Sequence, residues 1–192
     1  MIEPRVSLVH SLHSYSTSFP EEEGFKIRFL QLLDHPRSFH RDHLPGHITG
    51  SAWIVNSNFS KVLLVHHAKL GRWLQPGGHA DGDEPALNVA LREAEEETGL
   101  KTFTLMTPSI FDIDIHVIPA RNNFPEHLHY DVRFLLQASE DDRLMISDES
   151  SDMKWFPLTE LATLTENAPS IMRMVHKTGN LAGRVGDRTA HN

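Results

Sequence analysis

The chain has 192 residues, no cysteine and a formal net charge of −8, with 39% hydrophobic and 23% charged residues. That composition excludes a disulfide scaffold and thiol catalysis, argues against broad binding to nucleic-acid backbone, and fits one globular domain with a modest extension. No basic segment leads into an apolar core at the start, and no apolar run reaches membrane-spanning length, so the expected setting is the cytoplasm.

In chain order, residues 1–45 read as an N-terminal extension, partly helical. Ser18-Phe19-Pro20-Glu21 has the pattern of a capping box and predicts a helix over about 20–34, with Phe25, Phe29, Leu32 and Leu33 as its buried side and Asp34-His35-Pro36 as its end. A strand is expected from about His47 to Val55, a turn at Asn56-Ser57-Asn58, and a short apolar strand over Val62–His66. A loop through Trp73 and Pro76 then delivers the chain to Gly78. After a helix at about 85–98, strands are expected near 103–107, 111–118 and 128–138, with a last short one at Asp152–Phe156. Two helices follow, at about 158–166 and 168–178, and residues 179–192 read as a polar tail that frays. No repeat or linker divides residues 46–178, which read as one domain.

The segment Gly78 to Leu100, GHADGDEPALNVALREAEEETGL, concentrates the chemistry. Pro85 suits a first helical turn, and Gly99 suits a left-handed C-terminal cap. At about 100° per residue, Glu93, Glu96 and Glu97 fall on one face, while Leu87, Ala90, Leu91 and Ala94 form a core-facing stripe. Glu95 points away from both, and Arg92 is spaced to pair with Glu96. Crowding carboxylates on one helix edge costs like-charge repulsion. A divalent cation would compensate, since carboxylates are the hard oxygen ligands that Mg²⁺ and Mn²⁺ prefer. A solvated acidic helix face is the competing explanation.

The order of the whole segment decides between them. Gly78, five residues, Glu84, seven residues, Arg92-Glu93, an aliphatic position, any residue, Glu96-Glu97, any residue, Gly99 and an aliphatic residue together resemble the Nudix box. Ala94, smaller than the usual Leu, Ile or Val, is its one soft spot. The resemblance implies an α/β fold: a Nudix-type α/β/α sandwich with a mixed β-sheet and the box loop–helix on one side. It implies hydrolysis of a nucleoside diphosphate linked to another moiety, in a nucleoside triphosphate, ADP-ribose, a dinucleotide or a nucleotide sugar. Carried over by position, Glu93, Glu96 and Glu97 would bind Mg²⁺ or Mn²⁺, with the backbone of Gly78 joining them. Arg92 would orient Glu93, the first choice for general base ahead of a carboxylate or histidine from a distant loop, and Glu84 would serve the loop–helix architecture or support the metal ligands from behind. Isomerisation of isopentenyl diphosphate on the same fold needs a catalytic cysteine, which this chain lacks. The other alternative is a non-catalytic, nucleotide-binding or regulatory domain, which would be expected to lose a metal carboxylate. The implied partner is a small nucleotide-type molecule, without nucleic acid or membrane, and both a monomer and a homodimer remain open.

A second constellation lies after the box. Asp112, Asp114 and His116 alternate onto one strand face, and so do His127, His129, Asp131 and Arg133 after a turn at Asn122-Asn123. If the strands pair, they form a His/Asp patch that either faces water or contacts substrate. His79, His129, Asp131 and Arg133 are the candidate substrate contacts. The His127-x-His129 spacing can chelate a transition metal, although a structural zinc site needs a closed ligand set. Trp53, Trp73 and Trp155 read as core or rim residues.

Overall fold

A computed structural model describes residues 3–68, 70–82, 85–121, 124–146 and 150–189, with side chains as far as Gly183. The described residues form two compact units, one drawn from residues 1–52, 77–94 and 105–135, the other from 53–76, 95–104 and 136–192.

The first unit opens with two helices. The sequence reading missed α1 (Pro4–Ser14), although Pro4 at its first turn and the i,i+4 pair Leu8 and Leu12, both buried, mark it. Helix α2 (Pro20–Leu33) lies where expected and buries Phe29, Leu32 and Leu33, with Phe25 half-buried. The capping box does not form: the N-cap is Phe19, without a side-chain cap. Thr17 takes over that end, accepting from the Phe19 N–H at 3.1 Å. Glu22, which is fully buried, accepts from the Tyr15 hydroxyl at 2.6 Å, from the Thr17 hydroxyl, and from the Ile113 N–H at 3.2 Å. One carboxylate thus fastens the extension to strand β6 (Asp112–Ile118).

Strand β1 (Gly46–Val55) is buried along its whole length, as a strand covered on both faces must be. Its first residues pair antiparallel with β4 (Gly77–His79), Thr49 opposite His79 and Gly50 opposite Gly78. Its other neighbour is β7 (His127–Gln137). Leu128 donates its N–H to Pro45 and Ala138 to Val55, so the register advances in the same sense along both strands and this pair is parallel. The antiparallel partner β6 and the parallel partner β1 make the sheet mixed. Strand β6 pairs with β7 in the register Asp112 to Arg133, Asp114 to Asp131 and His116 to His129. The expected turn at Asn122-Asn123 lies outside the described residues.

In the second unit, β2 (Lys61–His67) runs antiparallel between β3 (Arg72–Leu74) and β8 (Ser150–Pro157). The expected loop through Trp73 therefore contains a short strand, and β4 is a second one. Strand β5 shrinks to Thr104–Leu105. A 3-10 turn at Leu158–Glu160 and α4 (Leu161–Leu164) replace the single helix expected at 158–166. The last helix, α5 (Pro169–Thr189), continues well past the expected end at 178. Buried Ile171, Met174 and Thr178 anchor it, and interior glycines such as Gly179 cost a helix only about 1 kcal/mol each. Thr178 accepts from the indole N–H of buried Trp53 at 2.9 Å, placing that tryptophan in the core. No helix among the described residues is long and apolar enough to cross a membrane.

Candidate functional site

Helix α3 (Ala86–Thr98) carries the acidic edge. Pro85 sits just before it, its carbonyl accepting from Asn88 and Val89 at 2.8 and 3.1 Å. The buried stripe is Ala86, Val89, Ala90, Ala94 and Thr98; Leu87 and Leu91 are only half-buried, a correction to the expected Leu-centred stripe. The reason is close approach to β1. A Cβ added at Gly50 would lie 2.5 Å from the Ala86 carbonyl oxygen and 2.9 Å from the Val89 Cβ. Fully buried Ala94 continues this small-residue stripe, so the smaller side chain in the box fits a closely packed helix. Gly99, at φ +72°, ends the helix in the left-handed conformation, and the Met145 N–H caps the Thr98 carbonyl at 2.9 Å.

Glu93, half-buried, leans directly over Gly78. A Cβ at residue 78 would fall 2.8 Å from Glu93 Oε2 and closer still to Oε1 and Cδ. Only glycine leaves room for that carboxyl group against the strand. Arg92 fixes it from the side: one guanidinium nitrogen donates to Glu93 Oε1 at 2.6 Å and the other to the His79 carbonyl at 3.0 Å. The arginine thus ties the helix to β4 and holds one oxygen of the carboxylate. Glu96, exposed, and Glu97, half-buried, follow along the same edge of α3, three and four residues on. Glu95 turns outward to Lys101. Glu84 lies outside the described residues.

Arg41, which the sequence reading passed over, stands at the turn before α3. Its exposed guanidinium makes two hydrogen bonds to Asp81, which raise its pKa and lower that of the carboxylate.

The β6–β7 hairpin differs from both sequence expectations in its Asp–Arg part, which is buried, while His116 and His129 farther along the same face are half-buried. Arg133, 2% exposed, donates to Asp131 at 2.8 Å, Asp112 at 3.1 Å and Asp114 at 3.2 Å, all three of them buried. Thr49 and Ser51 hydroxyls donate to Asp131 at 3.1 and 2.8 Å. Burial opposes the guanidinium charge, but Asp114, Asp131 and Asp112 outweigh it and raise the Arg133 pKa. This closed network corrects the expectation that Asp131 and Arg133 meet substrate, because their polar atoms are spent inside the fold.

The histidines of the same unit gather beside it. His47, fully buried on β1, has its ring 5.1 Å from that of His127, 5.0 Å from His129 and 5.2 Å from His79. His79 lies 5.0 Å from His129. Burial first, and the neighbouring His79 next, push His47 down to about 4 and His129 lower still, so both rings are neutral at pH 7. The sequence reading named His79 and His129 but not His47, because nothing in a sequence states that β1 runs parallel beside β7.

Comparison with known proteins now adds to this geometry. The NUDIX domain family model matches residues 46–177. A probable DHNTP pyrophosphohydrolase of Lactococcus lactis subsp. cremoris is 27% identical over 163 residues, covering 84% of this chain and 91% of that protein. The asymmetrical bis(5'-nucleosyl)-tetraphosphatase of Rattus norvegicus is 27% identical, covering 59% of this chain and 74% of its own length. Among solved structures, a C. elegans Ap4A hydrolase binary complex superposes with a TM-score of 0.56 at 19% identity, covering 71% of this chain and 98% of that one. The E. coli dihydroneopterin triphosphate pyrophosphohydrolase gives 0.54 at 16% identity, covering 69% of this chain and 95% of that one. At such identities the structures establish a shared fold.

Proposed function

The chain belongs to the NUDIX domain family and is a Nudix hydrolase, and from that premise we propose that it cleaves the diphosphate link of a nucleotide-type polyphosphate, with Glu93, Glu96 and Glu97 holding Mg²⁺ or Mn²⁺. The observation that carries this reading is the seat of Glu93: a carboxyl group laid on glycine backbone where a Cβ would collide, and clamped by Arg92 at 2.6 Å. A solvated acidic face has no use for such a cradle. The donor set also fits the metal, since it offers hard carboxylate oxygens and a nearby backbone.

When bound, the cation would neutralise pyrophosphate charge and lower the pKa of an attacking water. The chain's own residues do the rest in this proposal. Glu93 accepts the water's proton, its carboxylate held by Arg92. Gly78 lets the backbone come close enough to offer its carbonyl. Residues 46–178 form the hydrolase domain, and residues 1–45 brace it through Glu22. Arg41 and His79, near the loop before α3, are the side chains we assign to the substrate's phosphates.

The relative of which this chain covers 91%, a probable DHNTP pyrophosphohydrolase, supports a triphosphate as the first substrate to try. The test is product release with Mg²⁺ across dihydroneopterin triphosphate, Ap4A, ADP-ribose, a nucleotide sugar and the common nucleoside triphosphates. Turnover is expected on at least one triphosphate or tetraphosphate. Glu97→Gln should lower it by roughly 10³, equivalent to about 4 kcal/mol of transition-state stabilisation. No turnover on any member, with Mg²⁺ bound, would make this a non-catalytic binding domain instead.

A further inference from the structure

The first unit holds a second ligand set that the carboxylate chemistry does not use. We propose that His47, His127 and His129 form a site for a borderline first-row divalent cation of the Zn²⁺ class, distinct from the Glu93, Glu96 and Glu97 edge. One ring nitrogen from each of the three lies within 4.8 Å of the others. Imidazoles bound to one tetrahedral zinc at about 2.0–2.1 Å have nitrogens roughly 3.3 Å apart, so small ring rotations close the set.

The hydrogen bonds point the same way. His47 donates Nδ1–H toward the His43 carbonyl at 3.4 Å, and His127 donates Nδ1–H to the Pro125 carbonyl at 3.0 Å. A carbonyl only accepts, so each bond fixes the tautomer and leaves the lone pair on Nε2 of that ring, the arrangement that orients metal-bound histidines. His47 Nε2 and His129 Nε2 are buried and have no hydrogen-bond partner. A buried polar nitrogen left without a partner costs about 1–3 kcal/mol, and here two of them belong to rings that gather with a third imidazole. A structural account in which these rings merely fill space leaves both uncompensated. A single cation satisfies all three lone pairs.

Donor chemistry separates this site from the box. Imidazole suits Zn²⁺, Co²⁺ and Ni²⁺, while carboxylate, carbonyl and water suit Mg²⁺ and Mn²⁺. The strands explain why the ligands meet. His127 and His129 share a face of β7 by alternation, and the parallel neighbour β1 brings His47 to them. Three protein ligands would leave a fourth position to water, and the rings of His79 and His116 stand 5.0 and 5.5 Å from that of His129.

The experiment uses tag-free full-length protein, stripped with chelator and then titrated with Zn²⁺ in excess Mg²⁺, with bound metal counted by elemental analysis. Wild type and a Glu96→Gln, Glu97→Gln variant are expected to take up one equivalent of Zn²⁺ with equal affinity. His47→Gln and His127→Gln should each weaken uptake at least about a hundredfold, because loss of even an outer-shell partner costs 10–100-fold. Should those variants fail to fold, X-ray absorption of the zinc-loaded wild type decides, with imidazole scattering at about 2.0–2.1 Å expected. Zinc uptake that survives both histidine substitutions, uptake abolished by the glutamate substitutions, absorption without imidazole, or no uptake by wild type would each overturn the site. None of these outcomes depends on whether the box hydrolyses a polyphosphate.

Discussion

The outer edge of α3 and the inner face of the β6–β7 hairpin are built from similar ionisable residues, and they manage charge in opposite ways. On α3, Glu93, Glu96 and Glu97 stand in one row, half-buried or exposed, where water can reach them. In the hairpin, Asp112, Asp114 and Asp131 are buried and close on the guanidinium of Arg133, and His47 and His129 beside them become neutral. Burial makes the difference. A charge in the interior must be cancelled from within or given up. A row on a wet edge keeps its charge and can take a counter-ion from solution. That contrast fits the proposed metal-holding role of the edge, while the Asp–Arg face holds strands together.

Arg133→Met is the strongest test of that division. It leaves three buried carboxylates around a hydrocarbon, and breaking a buried pair by removing one partner costs about 3–5 kcal/mol. Denaturant unfolding should show a loss of that size, with the midpoint moving and the slope retained. Glu97→Gln should do the reverse, lowering turnover while the unfolding midpoint stays within about 0.5 kcal/mol of wild type. If Arg133→Met were as stable as wild type, the hairpin network would not be structural and the contrast would fail.

How far this was legible beforehand follows the same line. The box could be read because its pattern is local: three glutamates and an arginine on a single helix, then a glycine stop, all within 23 residues. Alternation likewise placed Asp112, Asp114, Asp131 and Arg133 on shared faces. It could not say that those faces were inside, since a period of two marks a face without saying what covers it. The Ala-and-Val stripe of α3 was hidden for a related reason, because Gly50 on a strand distant in sequence sets how closely the helix can approach. His47 went unnoticed because its neighbours come from β7, about 80 residues on, through a parallel register that no local pattern encodes.

The neutral histidines give a test on the hairpin side with a pH axis. In chelator-treated protein, burial holds the His47 ring down to about 4, while an unfolded histidine protonates near 6.5. Between those values the unfolded chain carries the extra proton, so stability rises with pH there and falls on acidification. Stability is complete above about pH 6.5 and drains away toward pH 4, by on the order of 3 kcal/mol for His47 alone. His129, lowered for the same reason, adds in the same direction. Unfolding midpoints measured from pH 7.5 to 4.5 should show this slope, flattened in His47→Gln. An unchanged slope in that variant would mean that the ring is not held neutral by its surroundings.

A smaller effect tests the α3 side at its tightest point. In Gly78→Ala the new methyl group would occupy the space of the Glu93 carboxyl, 2.8 Å from Oε2 and closer to Oε1. Glu93 ends a flexible side chain, so the collision is relieved by swinging the carboxylate away, and stability should change by no more than about 1 kcal/mol. Catalysis is less forgiving, because a displacement of about 1 Å in a reacting group can cost 10²-fold. Turnover should therefore fall by about 10²-fold, or roughly 2.7 kcal/mol, with the unfolding midpoint nearly unmoved. Arg92 would have to release Oε1 for this to happen, so Arg92→Lys, which gives up the two-pronged hold on Glu93 and the His79 carbonyl, should lose turnover in the same manner and add little when combined with Gly78→Ala. Full additivity of the two losses would show that the arginine and the glycine act on different atoms, and that Glu93 is not the point through which the cradle works.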